Sequence, residues 1–272
     1  MITLEQLQAG IVIPIDKPRQ WTSFQAVNKI KAVVRNTYGL KKIKIGHAGT
    51  LDPLASGLLL VCIGKATKTI PQLQDGDKVY TGTMVFGATT PCFDLERPVD
   101  HYYPYEHITR ELLNEKVQQF IGTIDQVPPM FSAVKIDGQR AYDLARSEVE
   151  CMRYEVRTSD LIKSKKVNVY SFEITAFRAP SPVSPISPKV SPASEGRHLY
   201  QNPLGEVPSH LPQADFRIHC GKGTYIRSLA RDLGLALGSG AFLSALRREQ
   251  VGCYTIDQAI TLDEVQDFLT QP

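Results

Sequence analysis

No CxxC pair occurs in this sequence. Its five cysteines, Cys62, Cys92, Cys151, Cys220 and Cys253, lie far apart, which removes a cysteine zinc site and a disulfide framework and leaves idle thiols in a reducing compartment. The histidines at 47, 101, 107, 198, 210 and 219 show neither HExxH nor HxH spacing, so no metal is expected. There is no GxSxG elbow and no GxGxxG after a strand. "CGKGTY" fails as a phosphate loop, because Gly223 stands where Ser or Thr is required and Phe216 where the first glycine belongs. The start, "MITLEQLQAG", lacks the basic and apolar regions of a secretory signal. The longest apolar run, Leu58 to Ile63, is too short to span a bilayer. A cytoplasmic protein without a membrane association is therefore expected.

What is present is ordinary in bulk. A chain of 272 residues, 42% hydrophobic and 22% charged, can bury one large core. The net charge of +3 permits a polyanionic partner without requiring one.

Local patterns give an α/β chain. "TSFQAVNKIKAVVRNT" has Thr22 or Ser23 as a cap and Phe24, Val27, Ile30 and Val34 at helical spacing. "LLLVCIG" reads as a buried strand and "KVYTGTMVFG" as a second. "TRELLNEKVQQFIG" reads as a helix closed by Gly122. In "YSFEITAFR" and in "DFRIHC" apolar residues alternate as in half-buried strands, and a helix with Ile226, Leu229, Ala230 and Leu233 on one face then stops at Gly234. Between those two strands, Ala179 to Pro212 places prolines at 180, 182, 185, 188 and 192 among serines. Such a run forms neither helix nor inner strand, and a disordered insertion within one domain is expected.

One stretch remains unexplained by folding alone. "GHAGTLDPLASGLLLV", Gly46 to Val61, leads three glycines, a histidine and a proline around a single acid, Asp52. A lone carboxylate in a tight loop is a nucleophile or general base, or the head of an Asx turn. Both readings are open on the residues themselves.

That stretch resembles the catalytic motif of the bacterial tRNA pseudouridine-55 synthases, the TruB family. Further segments are similar to family blocks in family order: "IDKP" with "WTSFQAV", "DKVYTGTMVFGATTPCFD", "QVPPMFSAVKIDGQRAYDLAR", "CGKGTYIRSLARDLG" and "LRREQVG". The resemblance implies Asp52 as the catalytic aspartate, Tyr80 as the tyrosine stacked on the target uracil, and Arg227 as the arginine paired with the aspartate. It implies Tyr225 beside them, Leu246 lining the pocket, His47 filling the gap left by a flipped base, and Lys17 with Pro18 in a motif near the site. The basic run Lys41, Lys42 and Lys44 suits phosphates or is a solvated strand end.

The resemblance further implies an α+β fold with a mixed, largely antiparallel sheet, flanking helices and a central catalytic cleft. It implies a catalytic domain over 1–255 interrupted at about 179–212, and a short tail, 256–272, without the RNA-binding PUA module of many relatives. The implied activity is isomerisation of uridine to pseudouridine at position 55 in the T-arm of tRNA, with base flipping. No cofactor, metal or guide RNA is implied, and a monomer is expected. A guide-dependent isomerase and a non-enzymatic RNA-binding protein are the competing readings.

Overall fold

The computed structural model describes residues 2–129, 135–136, 139–140, 163–180 and 205–271. The strands among them are β1 (Ile11–Lys17), β2 (Ile45–Ala48), β3 (Ser56–Ile63), β4 (Lys78–Phe86), β5 (Ala88–Thr89), β6 (His101–Tyr102), β7 (Gly122–Gln126), β8 (Lys135–Ile136), β9 (Gln139–Arg140), β10 (Lys165–Arg178), β11 (Gln213–Cys220), β12 (Ala241–Val251), β13 (Tyr254–Thr255) and β14 (Ile260–Thr261). The helices are α1 (Leu4–Ala9), α2 (Ser23–Tyr38), α3 (Ile70–Asp75), α4 (Arg110–Val117), α5 (Ile226–Ala236) and α6 (Val265–Thr270).

One sheet organises the molecule, in the order β14-β1-β3-β12-β4-β11-β10-β7, with β2 beside β3 and β13 beside β12. Only β1/β14 and β3/β12 run parallel; the rest of the ladder is antiparallel. The mixed, largely antiparallel sheet with flanking helices is therefore as expected.

The continuous apolar run of β3 has a physical reason. Leu59, Val61 and Ile63 face the main core, while Leu58 and Leu60 pack with Ala48 and Val251 on the opposite face. A strand covered on both sides loses its polar alternation.

Helix α2 starts at a capping box made by Thr22 and Gln25 and ends at Gly39 in the left-handed region. Ser23, Ala26, Val27, Ile30 and Val34 are its buried residues. Phe24, which spacing assigns to the same face, is instead 70% exposed. It lies about 60° around the helix from Val27, and Ala26 and Ser23 take its place toward the core. Helix α4 closes earlier than Gly122, which opens β7 with φ 102°. Gly234 is no stop either. It lies inside α5, where a Cβ would come within 2.6 Å of the Ala241 nitrogen.

The Pro/Ser-rich segment joins β10 to β11, antiparallel neighbours. Its last stretch, 205–212, contradicts the boundary drawn from composition. Leu211 is buried with Val85, Leu95 and Phe242, Val207 packs against them, and the Gly205 amide donates to the Leu95 carbonyl at 3.1 Å. Two apolar residues are enough to seat this stretch, and a scan for proline and serine passes over them. Residues 181–204 lie outside the described residues.

Residues 256–271 are likewise not an appended tail. β14 completes the sheet edge beside β1, and Val265 and Leu269 of α6 are fully buried in the main core.

Candidate active site

The loop between β2 and β3 carries Asp52. Three neighbours fix its backbone. The Ser23 hydroxyl, at the start of α2, donates to the Leu51 carbonyl and accepts from the Leu51 amide, at 3.1 and 2.9 Å. The Gln20 amide donates to the Pro53 carbonyl at 2.8 Å. The buried Arg248 of β12 donates to the carbonyls of Gly49 and Leu58, at 2.9 and 2.8 Å. The glycines of the motif serve this packing. Gly57 has φ 98°, and a Cβ there would lie 2.4 Å from the Arg248 carbonyl oxygen; Gly49 has φ 86° beside the Arg248 guanidinium.

Arg227, the second residue of α5, meets Asp52 edge-on. Its Nε lies 3.0 Å from Asp52 Oδ2 and its Nη2 donates to Asp52 Oδ1 at 3.1 Å. Bidentate pairing of this kind fixes orientation as well as charge. The same guanidinium donates through Nη1 to the Cys92 carbonyl at 3.2 Å and has Asp94 Oδ2 at 3.8 Å from Nε. Burial works against the Arg227 charge, but Asp52 and Asp94 outweigh it and raise its pKa. Burial raises the pKa of Asp94, and Arg227 opposes that shift.

The two carboxylates are not equivalent. The Asp52 side chain is 38% exposed and that of Asp94 only 8%. Asp52 alone of the pair can meet a substrate, while Asp94 backs the arginine. The small cavity in front of them is lined by Leu54, Ala55, Leu243, Ser244, Ala245 and Leu246 as well as the charged trio. This is a mostly apolar niche with one open acid.

Among the described residues, the non-glycine positions with positive φ are Gln20 and Phe93. Gln20 holds the Asp52 loop, and Phe93 stands between Cys92 and Asp94, where its carbonyl accepts from Leu243 at 3.0 Å. Backbone strain thus falls on the segment that braces the Asp52 loop and on the loop that meets Arg227 through Cys92 and Asp94.

Comparison with known proteins bears on what this site does. The family description "TruB family pseudouridylate synthase (N terminal domain)" matches residues 35–226, and "tRNA pseudouridylate synthase B C-terminal domain" matches 227–271. The chain belongs to the TruB family of pseudouridylate synthases. It is 45% identical over 269 residues to the tRNA pseudouridine synthase B of Flavobacterium johnsoniae, across 98% of this chain and 100% of that one. It is 43% identical to that of Phocaeicola vulgatus, across 96% and 94%. Among solved structures it is similar to a chain of a Cbf5-Nop10-Gar1 complex, with TM-score 0.61 and 28% identity over 96% of this chain. It is also similar to one in an H/ACA RNP bound to a substrate RNA containing 2'-deoxyuridine, with TM-score 0.58 and 25% identity over 98%. The chain spans 55% of the length of each of those two solved chains.

As a TruB-family synthase the protein is an isomerase. It converts uridine to pseudouridine, breaking the N1–C1′ bond and making a C5–C1′ bond, with no net oxidation or reduction.

The residues expected from sequence do not all share the cavity. Asp52, Arg227 and Leu246 share the cavity. Tyr80 is nearly buried on β4 opposite Arg248; burial raises its pKa, and the neighbouring Arg248 charge opposes that. Tyr225 caps α5, with its amide donating to Gln126 Oε1 at 2.8 Å and its carbonyl accepting from Gln126 Nε2 at 3.1 Å. His47 is half-buried on β2, and burial, then Arg248, lowers its pKa. Its buried Nδ1 has no hydrogen-bond partner among the described residues.

Lys17 departs from the substrate-binding place given to it. It is fully buried at the end of β1, and its amine donates to the carbonyls of Pro18 and Trp21 at 3.0 and 2.6 Å. Burial lowers its pKa to about 8. Those two carbonyls hold the amine in the fold. Lys41, Lys42 and Lys44 are exposed, but they precede β2 at the end away from Asp52, roughly 13 Å along the strand from Ala48 to Lys44.

Asp94, Arg248 and Gln126 complete the site and were missed from sequence. Arg248 is the last residue of the "LRR" segment, but nothing local says that it turns inward. Most of the "QVPPMFSAVKIDGQRAYDLAR" block lies outside the described residues.

Proposed function

We propose that this synthase isomerises uridine 55 in the T-arm of tRNA, with Asp52 as the essential group acting on a uridine flipped out of its stack. The observation that carries the reading is the Arg227–Asp52 pair, which holds one open carboxylate at the mouth of an apolar niche. Breaking a glycosidic bond calls for a carboxylate at the anomeric carbon. The carboxylate attacks C1′, adds to the uracil ring, or takes a 2′ proton; each route needs it fixed and oriented, which Arg227 supplies.

The freed uracil must then be retained while it turns to present C5. Leu54, Leu243 and Leu246 furnish apolar contact for that, and Tyr80 is the residue assigned to stacking. A base inside a helix cannot reach Asp52, so extrusion is part of the proposal, and His47 takes the vacated place. Tyr225, two positions before Arg227 in the chain, is assigned to the same pocket. The tRNA substrate follows from relatives that align with nearly the whole chain and carry that name. The chains from the Cbf5-Nop10-Gar1 complex and the H/ACA RNP are spanned over 55% of their length only, and a guide RNA is not part of the proposal.

The test is direct. The purified protein alone, incubated with an unmodified tRNA transcript, should place pseudouridine at one T-loop position. An isolated T-arm hairpin should also react, and a single-stranded 17-mer of the same sequence should not, because RNA is read through shape and unpaired bases. Reaction only in the presence of a guide RNA would overturn the proposal.

A further inference from the structure

From Lys17 to Leu51 the sequence contains eight Lys and Arg residues and no Asp or Glu. The chain as a whole holds 31 basic and 28 acidic residues, so outside this stretch it is acidic on balance. The stretch is one structural unit: the end of β1, helix α2, and the approach to β2 that delivers the Asp52 loop.

Two of its cations are used internally. Lys17 is buried, and Lys29 pairs with Asp263 and lies 5.6 Å from the centre of the Trp21 ring. Arg19, Lys31, Arg35, Lys41, Lys42 and Lys44 are exposed. Among the described residues none of these six forms an ion pair with a carboxylate.

Helix α2 arranges them. Phe24, Asn28, Lys31 and Arg35 follow at intervals of four, three and four, which places them on one face, and all four are exposed. From Phe24 to Arg35 this face runs about 16 Å. It ends at Gly39, after which Lys41 and Lys42 stand in solvent. It begins at the catalytic loop, since Ser23 and Gln20 bond Leu51 and Pro53 on either side of Asp52. Phe24, at that end, is more exposed than any other large hydrophobic residue described. The core does not need it, and the cap is made by Thr22 and Gln25.

We infer that the outer face of α2 is the track for the RNA strand leaving the catalytic cleft. Phe24 stacks on an unpaired base next to the extruded uridine, Lys31 and Arg35 meet phosphates, and Lys41 and Lys42 continue the line. A ring followed by evenly spaced cations without acids matches a polyanion with exposed bases. This rests on the proposed uridine isomerisation in tRNA and adds the surface that holds the rest of the substrate.

The experiment measures the Kd of an unmodified tRNA transcript against KCl concentration by fluorescence anisotropy. Four proteins are compared: the wild type, Lys31→Ala/Arg35→Ala, Phe24→Ala, and Arg110→Ala/Lys116→Ala on α4 as a charge-matched control. Thermal melts check that each is folded. Losing two phosphate contacts should flatten the slope of log K against log salt by roughly 1.4 to 1.8. Phe24→Ala should weaken binding by roughly fivefold to a hundredfold and leave the slope alone, since stacking releases no counterions; Phe24→Trp should restore it. The α4 control should bind as the wild type does. Unchanged slope in the α2 double variant, or an equal flattening in the α4 control, overturns the track. Wild-type affinity in Phe24→Ala overturns the stacking role. If the wild type converts the transcript while the α2 variants bind normally, only the track is lost; if it neither binds nor converts it, the functional proposal is lost as well.

Discussion

A buried arginine between two carboxylates assigns unequal roles to them. Asp52→Asn keeps size and shape, and Asp94 still balances Arg227. The variant should therefore melt within about 1 kcal/mol of wild type and bind tRNA, while turnover falls by about 10⁴ or more. Arg227→Ala differs, because it leaves Asp94 buried without its cation and should cost about 3–5 kcal/mol in stability together with activity. Tritium release from C5-labelled uridine and urea unfolding measure the two effects; an active Asp52→Asn protein would refute the assignment. Lys17 makes a second, pH-dependent prediction. Its pKa falls from 10.5 to about 8 in the folded protein, chiefly through burial. Between pH 8 and 10.5 the unfolded chain binds a proton there that the native state does not, so this group makes stability rise with pH across that window. The difference in unfolding free energy between wild type and Lys17→Met should grow over the same range. A difference that stays flat would show that the amine is not so perturbed.

At the scale of elements, the apolar patterns of β3, β4, β10 and β11 are legible because each strand buries a regular set of positions. The exceptions are instructive. Phe24 has the right spacing for the core face of α2 but the wrong angle, and Gly234 has the composition of a helix stop but the role of a close contact with β12. Residues 205–212 are the sharpest case, since a proline- and serine-rich neighbourhood hides Leu211. Because Leu211 is buried with Val85, Leu95 and Phe242, Leu211→Ala should cost about 2–4 kcal/mol. A chemical-denaturation midpoint unchanged from wild type would mean that this stretch contributes no packing.

On the scale of the whole molecule, the ends of the chain close the core that supports the site. The Tyr38 hydroxyl of α2 donates to the carbonyls of Ile2 and Leu269, at 2.7 and 3.3 Å, and α6 buries Val265 and Leu269 against α2. Helix α2 in turn positions Leu51 through Ser23. Truncation after Glu264 should thus destabilise by on the order of 3–6 kcal/mol from the two lost apolar side chains and lower the Tm. A truncated protein with the wild-type Tm would show that residues 265–272 are the independent tail that composition suggests.

The sequence by itself determined the fold class, the Asp52 loop and the family, because a run of glycines around one acid and its companion segments are local patterns. The resemblance names Arg227 as the partner of that acid, but the pairing itself and the other charges around it were decided only in three dimensions. Arg227 lies 175 positions away from Asp52, and Asp94 and Arg248 converge on the site from separate strands and loops. No local rule distinguishes a buried charge from a solvated one. That distinction arises when the sheet brings β3, β4 and β12 together with α5, so that an arginine loses water on every side and must take carboxylates or carbonyls instead. Lys17 shows the same physics from the other direction: its short motif was readable, and its burial was not.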